Sequence, residues 1–241
     1  KVRIVSCKSE TTDLGLPEGH NDMIEIQPAR ITAVTSHISR LPQAKRKEFL
    51  LKFAGLLADW FDGQAVNKTF TIKSSATQRI VAKWSTRDFS NFATWVQFLA
   101  KASPSPSMTL YRGIVTKPKD APESEGPIVI TPRNALHSWS QSEAVADDFI
   151  ANIRRGQAGA IFQARMPANR IGFTADSAKK ICASVIVDAR TLASGAGVDA
   201  DDVIDAWEDV KDAIQEVAFE KEVVCMGTQP INADVLVVNK K

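Results

Sequence analysis

The sequence predicts an α+β protein in which a helical front precedes a β-rich second half. In the front, apolar residues recur every three or four positions in two separate stretches, which is typical of helices with one buried face. The segment KASPSPS, residues 101–107, ends this part because its prolines cannot continue a helix. Beyond it, helices separate only some of the short β-type segments, so a doubly wound parallel sheet is disfavoured.

Both front helices carry a stripe of aromatic and aliphatic side chains. Such stripes are most often core, so we interpret them as packing faces and not as a ligand site. Gly63 supplies a stop for the first helix, and residues 1–27 are expected to form an irregular or strand-like lead-in. The stripes consist of Phe49, Phe53, Leu56 and Trp60 in the first helix and of Phe89, Phe92, Val96 and Leu99 in the second.

The second half is expected to combine short strands with two helices. Helical periodicity covers about residues 143–153 and 199–217, whereas the strand segments are short and bounded by glycine or polar residues. The expected strands are MTLYRGIV, PIVIT, GAIFQARM, ASVIVDA, KEVVCMG and ADVLVVN.

Charge and cysteine content narrow the class of protein. The net charge of +2 is too small to indicate a nucleic-acid or lipid surface, and no apolar run approaches the length of a membrane span. Three isolated cysteines indicate neither a disulfide framework nor a zinc cluster, so a reducing, cytoplasmic site of action is expected. Three scattered histidines add no metal site, and we expect no metal and no membrane partner.

Three motifs in the second half combine charge with small side chains. LYRGI places Arg112 on an apolar strand directly before Gly113, HSWS places Ser138 and Ser140 before a helix, and FEKEV pairs two acids. Strand alternation would put Glu220 and Glu222 on one face. Each motif also has a structural explanation: a surface arginine, an S-x-x-E capping box starting at Ser140, and a solvated edge strand.

One reaction would use all three motifs together. Cleavage of the bond between nicotinamide and its ribose passes through an oxocarbenium-like state, which a nearby carboxylate stabilises. An arginine suits the phosphates of the dinucleotide, and a glycine lets the nicotinamide approach the backbone. A second carboxylate can orient and deprotonate the incoming nucleophile. His137 beside Ser138 could instead suggest a nucleophile and its base, but no G-x-S-x-G elbow is present.

The order of these motifs resembles the mono-ADP-ribosyltransferases of the arginine, serine, glutamate class. The resemblance rests on Arg112 after an aromatic residue, on Ser138 before a helix that reads V-A-x-x-F, and on the Glu-x-Glu pair at Glu220 and Glu222. It covers about residues 107–241. One departure is Trp139, which stands where the family commonly has threonine.

The resemblance implies a core of two small, mostly antiparallel sheets around an NAD cleft at residues 107–241, preceded by a helical region at 1–106. Glu222 would be the catalytic carboxylate and Glu220 would position the acceptor, with Arg112 and Ser138 completing the catalytic set. Residues 215–219 would form the loop that contacts the acceptor, with Phe219 exposed. The implied NAD-binding residues are Arg112, Gly113, Ser138, Trp139, Ser140, Phe149 and Glu222.

The implied activity is transfer of ADP-ribose from NAD, as substrate, to arginine of a target protein. Members of this class act as bacterial toxins or phage enzymes, so the target would belong to a host cell into which the protein is delivered. Two alternatives stay open at this point: an NAD glycohydrolase, in which water replaces the acceptor, and a binding module without catalysis. A nucleic-acid acceptor also stays open, because some members of the superfamily use one.

Overall fold

A computed structural model describes residues 28–62, 70–71, 84–132, 135–151, 153–216 and 220–240. These residues form an α+β structure in which helices pack on an antiparallel sheet, as the sequence predicts. Residues 1–27, Gly63 and Phe219, for which the sequence makes predictions, lie outside the described residues. No helix within the described ranges is both long and apolar enough to cross a membrane.

The described part of the front is helical apart from the two-residue strand β1, Phe70–Thr71, which pairs with a strand of the second half and which was not predicted from the sequence. A buried aromatic stripe runs from Phe49 to Phe61, it begins in a π-helical segment, and Trp60 near its end is 2% exposed. The next helix begins with a capping box, in which Ser85 and Asp88 satisfy each other's backbone N–H groups. The elements are α1 Pro28–Ser39, α2 Gln43–Lys47, the π-helical segment Glu48–Phe53, α3 Ala54–Phe61 and α4 Thr86–Ala102.

The strands form one antiparallel series in the order β1-β3-β8-β5-β2-β4-β7-β6. Most neighbours share ladders of several residue pairs, but β2 and β4 meet only at Tyr111 and Ser140. That narrow junction divides the sheet into a β3-β8-β5-β2 half and a β4-β7-β6 half. The strands are β1 Phe70–Thr71, β2 Met108–Thr116, β3 Gly126–Pro132, β4 Leu136–Ser140, β5 Ala158–Met166, β6 Ile171–Thr174, β7 Glu222–Met226 and β8 Ile231–Lys240.

The second half also contains helices α5 Glu143–Ala151, α6 Ala175–Val187, α7 Ala189–Ala196 and α8 Ala200–Glu216. The predicted helices at 143–153 and 199–217 are confirmed as α5 and α8. The predicted strand ASVIVDA, residues 183–189, is wrong. Ala189 begins α7, and the first five residues belong to α6, which Asp188 caps. Ile181 and Val185 are buried at helical spacing while Val187 is 83% exposed, and a Thr174–Ser177 capping box starts the helix.

Two of the apolar cores among the described residues hold the sheet halves in place. We call α1–α4, the π-helical segment and α6–α8 the helical layer; its core includes Phe173 and Val224 from the β4-β7-β6 half. A second core lies between the halves, with Trp139 and Val223 from one and Leu110 and Phe162 from the other. The helical layer thus unites helices from both sides of residue 106, and the division of the chain at that residue stays a prediction.

Candidate functional site

A cleft opens where β2 and β4 separate beyond the Tyr111–Ser140 pair. Helix α5 covers it, and the described residues enclose a cavity of about 90 Å³. The predicted catalytic and NAD-binding residues all line this β2–β4 cleft, although proximity does not establish the predicted roles. The cavity is lined by Tyr111, Arg112, Gly113, Ser138, Trp139, Ser140, Val145, Ala146, Phe149, Glu220 and Glu222.

Glu222 is held at the start of β7. It pairs with Ser140 across the β4–β7 ladder, and Ser138 lies diagonally opposite it on the same face. The Ser138 hydroxyl donates a hydrogen bond to Oε1 of Glu222. The Glu222 side chain is on the same face of β7 as Val224, which packs in the helical layer. The carboxylate is therefore buried, at 5% exposure, between the sheet and that layer.

Trp60 contacts the site and was not predicted as a site residue from the sequence. Its indole N–H donates to Oε1 of Glu222 at 3.1 Å, from α3 in the helical layer. From its helical spacing, Trp60 is predicted only as a packing residue of an aromatic stripe. One chemical property could have indicated this contact. A buried indole N–H usually finds a hydrogen-bond partner, and an acid that faces the helical layer is a suitable acceptor.

Glu220 reaches the cleft by a route that the sequence did not predict. Strand alternation was expected to place it beside Glu222, but β7 begins only at Glu222, so that reason is wrong. Lys221 has a φ of 47°, in the left-handed region that side-chain-bearing residues rarely adopt. This conformation turns the chain, and Glu220 still lines the cavity while being half-buried.

Two hydrogen bonds fasten this turn to the end of β4. The Ser140 hydroxyl donates to the carbonyl oxygen of Glu220 at 2.6 Å, and the Gln141 N–H donates to the carbonyl of Lys221 at 3.1 Å. Helix α5 begins at Glu143, and the Ser140 hydroxyl accepts from the N–H of Ser142 at 3.0 Å. The Ser140 hydroxyl thus fixes the acidic turn. The capping-box explanation for Ser140 is wrong, because α5 begins only at Glu143.

Arg112 lines the cleft from β2. Its Nη1 donates to the carbonyl oxygen of Ser138, which anchors the guanidinium beside the serine–glutamate pair. Burial lowers the pKa of Arg112 to about 9, and the negative charge of Glu222 opposes this shift. Because that pKa stays above neutrality, Arg112 is charged at pH 7. The cleft therefore presents a cation and an anion together.

Gly113 is required by the packing of α5 against β2. A Cβ at this position would lie 2.8 Å from Cβ of Phe149 and well inside contact distance of the Ala146 carbonyl oxygen. The glycine thus lets α5 approach and cover the cleft, which is a role independent of any ligand. Phe149 is 60% exposed at the rim of the cavity.

His137 does not serve as a base for Ser138. The two residues point to opposite faces of β4, and the Trp139 indole N–H donates to Nδ1 of His137 at 2.9 Å. Burial lowers the pKa of His137 to about 3, and the positive charges of Arg112 and Arg170 lower it further. The imidazole is therefore neutral near pH 7 and belongs to the packing between the sheet halves.

The predicted acceptor loop at residues 215–219 is described only in part. Gln215 lies in α8, so its assignment to a loop is wrong, and residues 217–219 lie outside the described ranges. Over the described chain, no group of three or more His, Cys, Asp or Glu side chains is arranged to hold a metal ion.

Comparison of the chain with protein-family models, with curated proteins and with solved structures finds no match.

Proposed function

We propose that this chain is a mono-ADP-ribosyltransferase that transfers ADP-ribose from NAD to arginine of a target protein and releases nicotinamide. The observation that carries the proposal is the convergence of Arg112, Ser138 and Glu222, three residues from separate segments, on one cleft with Glu220 at its edge. A hydrogen-bonded acid in the same cleft as a half-buried arginine suits a substrate that carries both a developing positive charge and phosphates.

The division of the sheet supports the same proposal. The two halves meet at one residue pair and share an apolar core between them, which fits the two small sheets of an ADP-ribosyltransferase core. The cavity of about 90 Å³ is well below the roughly 300–1,000 Å³ of pockets that enclose whole ligands. We therefore assign it to the nicotinamide–ribose end of NAD, with the remainder of the dinucleotide lying outside it.

The proposed reaction breaks the bond between the anomeric carbon of the ribose and nicotinamide, whose nitrogen takes the electron pair. Glu222 stabilises the positive charge on the ribose by accepting a hydrogen bond from a ribose hydroxyl. Arg112 faces the phosphates or that ribose. A guanidinium nitrogen of the acceptor then forms the new bond to the anomeric carbon, and Glu220 takes the displaced proton.

The first experiment measures nicotinamide release from NAD by the wild type and by Glu222→Gln, which keeps the size of the side chain and removes its charge. We expect the rate to fall by about 100- to 1,000-fold, the usual effect of removing one group that stabilises transition-state charge. Glu208→Gln, at an exposed position of α8, is the matched control and should retain the wild-type rate. Equal rates in Glu222→Gln and the wild type would remove Glu222 from the mechanism.

The second experiment separates transfer from hydrolysis with Glu220→Ala. If arginine is the acceptor, this variant should still release nicotinamide in the presence of water but should no longer label an arginine-bearing protein from labelled NAD. A glycohydrolase would show no labelling even in the wild type, and a binding module would release no nicotinamide. If the label appears on nucleic acid in the same assay, the acceptor is a nucleic acid and not arginine.

A further inference from the structure

Trp60 of helix α3, in the helical layer, donates a hydrogen bond to the carboxylate of Glu222 in the cleft. The indole nitrogen of Trp60 lies 3.1 Å from Oε1 of Glu222, and both side chains are buried. The two residues are 162 positions apart in the chain, so this contact exists only when the helical layer is docked on the β4-β7-β6 half.

The aromatic core of the helical layer fixes the direction of this donor. The Trp60 ring stacks on Phe92 of α4 with centroids 5.1 Å apart and an interplanar angle of 19°. Trp84 packs against it from another side, with centroids 6.2 Å apart. A ring held in this way needs no rearrangement to donate, which is the condition under which a hydrogen bond contributes most to an active site.

Trp60 and Ser138 donate to the same oxygen of Glu222. The Ser138 hydroxyl reaches Oε1 from β4 and the indole N–H reaches it from α3. Within the described part of the chain, Oε2 of Glu222 accepts no hydrogen bond. Two donors on one oxygen fix the rotation of the carboxylate and leave the second oxygen for a ligand in the cavity that Glu222 lines.

We propose that Trp60 is a positioning residue that orients Glu222 so that Oε2 meets the ribose hydroxyl of NAD, which makes the helical layer a working part of the site. The identity of the ligand in this inference rests on the proposed function. The competing explanation is that Glu222 merely satisfies a buried indole N–H, in which case Trp60 contributes to stability alone. The two explanations differ in their effect on kcat.

The test compares Trp60→Phe with Trp207→Phe. Both changes remove a buried indole donor, but Trp207 donates to the carbonyl oxygen of Leu50 at 2.9 Å and not to the site. For nicotinamide release, we expect Trp60→Phe to lower kcat by about 10- to 100-fold with KM for NAD changed less than about threefold. We expect Trp207→Phe to keep the wild-type kcat. Equal falls in both variants, or a change in KM alone, would overturn the inference.

Replacement of Trp60 by benzothienylalanine, which keeps the ring shape and removes the N–H, gives a second test if Trp60→Phe does not fold. It should reproduce the loss of kcat, and a wild-type kcat would overturn the inference. In a double variant that combines Trp60→Phe with Ser138→Ala, the fall in kcat should be smaller than the product of the two single falls, because both donors act on one oxygen. Multiplying effects would contradict the shared role.

An inactive wild type would overturn the proposed function, and the contact itself would then be tested by NMR. The indole N–H resonance of Trp60, assigned by its loss in Trp60→Phe, should move when Glu222 is changed to Ala, while that of Trp207 should not. An unmoved Trp60 resonance would overturn the contact regardless of activity.

Discussion

Ser138 and Glu222 lie diagonally across β4 and β7, and the serine hydroxyl donates to the carboxylate of the glutamate. The register of the ladder enforces this relationship, since Ser138 pairs with Val224 and Ser140 pairs with Glu222. The Ser138 side chain therefore lies on the same face of the sheet as Glu222, one diagonal step away across the ladder. Its backbone carbonyl meanwhile accepts from Arg112, so one residue connects the cation and the anion of the cleft.

Ser138→Ala should lower nicotinamide release by roughly 10- to 100-fold. A hydrogen bond to a charged group contributes about 1.5–3 kcal/mol, and the alanine leaves the backbone acceptor of Arg112 in place. Steady-state kinetics against NAD measures the effect. Ser184→Ala, which removes a part-buried serine bond to the Lys180 carbonyl within α6, is the control and should leave the rate unchanged. A wild-type rate in Ser138→Ala would show that the bond has no catalytic role.

The conformation of Lys221 should control acceptor transfer more than NAD cleavage. Lys221→Asn and Lys221→Val remove the same charge, but asparagine tolerates a positive φ and valine does not. We expect Lys221→Val to be about 1–2 kcal/mol less stable than Lys221→Asn and to lose arginine labelling as Glu220 is displaced. Chemical denaturation and labelling from NAD measure the two effects. Equal behaviour of the two variants would remove the turn from the mechanism.

The residues of the cleft could be predicted because chemistry left a local signature at each of them. Arg112 interrupts an apolar strand, Ser138 precedes a helix, and two acids head an apolar run. The path by which Glu220 reaches the cleft could not be predicted in this way. Alternation assumes a regular strand, whereas the chain turns at Lys221, which has a positive φ. This turn is hydrogen-bonded to Ser140 and Gln141, about eighty residues earlier in the chain.

Long-range contacts account for the other differences between prediction and structure. Val185, Ile186 and Val187 look like a strand because they are β-branched and consecutive, yet the helical layer buries Val185 on one face of α6. Trp60 looks like core, and it is core, but its N–H direction depends on how α3 docks against β7. Neither property is encoded within a short window of sequence.

Gly113→Ala should destabilise the protein by about 1–3 kcal/mol, because an added methyl group would push α5 away from β2. The midpoint of urea denaturation measures the change, and nicotinamide release should fall with it as the cover of the cleft shifts. Gly55→Ala is a control of opposite sign, since its Cβ would meet nothing within 4 Å in α3. That change should stabilise by about 0.5–1 kcal/mol. If Gly113→Ala unfolds at the same urea concentration as the wild type, the close approach of α5 to β2 is refuted.

His137 makes stability depend on pH over a defined range. Its pKa is about 3 in the folded protein and about 6.5 when unfolded, mainly because burial disfavours the charged imidazole. Between these values the unfolded chain binds more protons than the folded one, so the free energy of unfolding rises with pH. The contribution of His137 is therefore fully present above pH 6.5 and decreases as pH falls towards 3.

His137→Asn should remove this dependence while keeping an acceptor for the Trp139 indole N–H. One proton changes the free energy of unfolding by about 1.4 kcal/mol per pH unit, so the wild type should lose roughly 2–3 kcal/mol more than the variant between pH 6.5 and 4.5. Urea denaturation at several pH values measures the difference. The smaller side chain shifts the whole curve of the variant, and only the difference in slope reports on the imidazole. Parallel curves would show that His137 titrates normally and that the space between the sheet halves admits its charge.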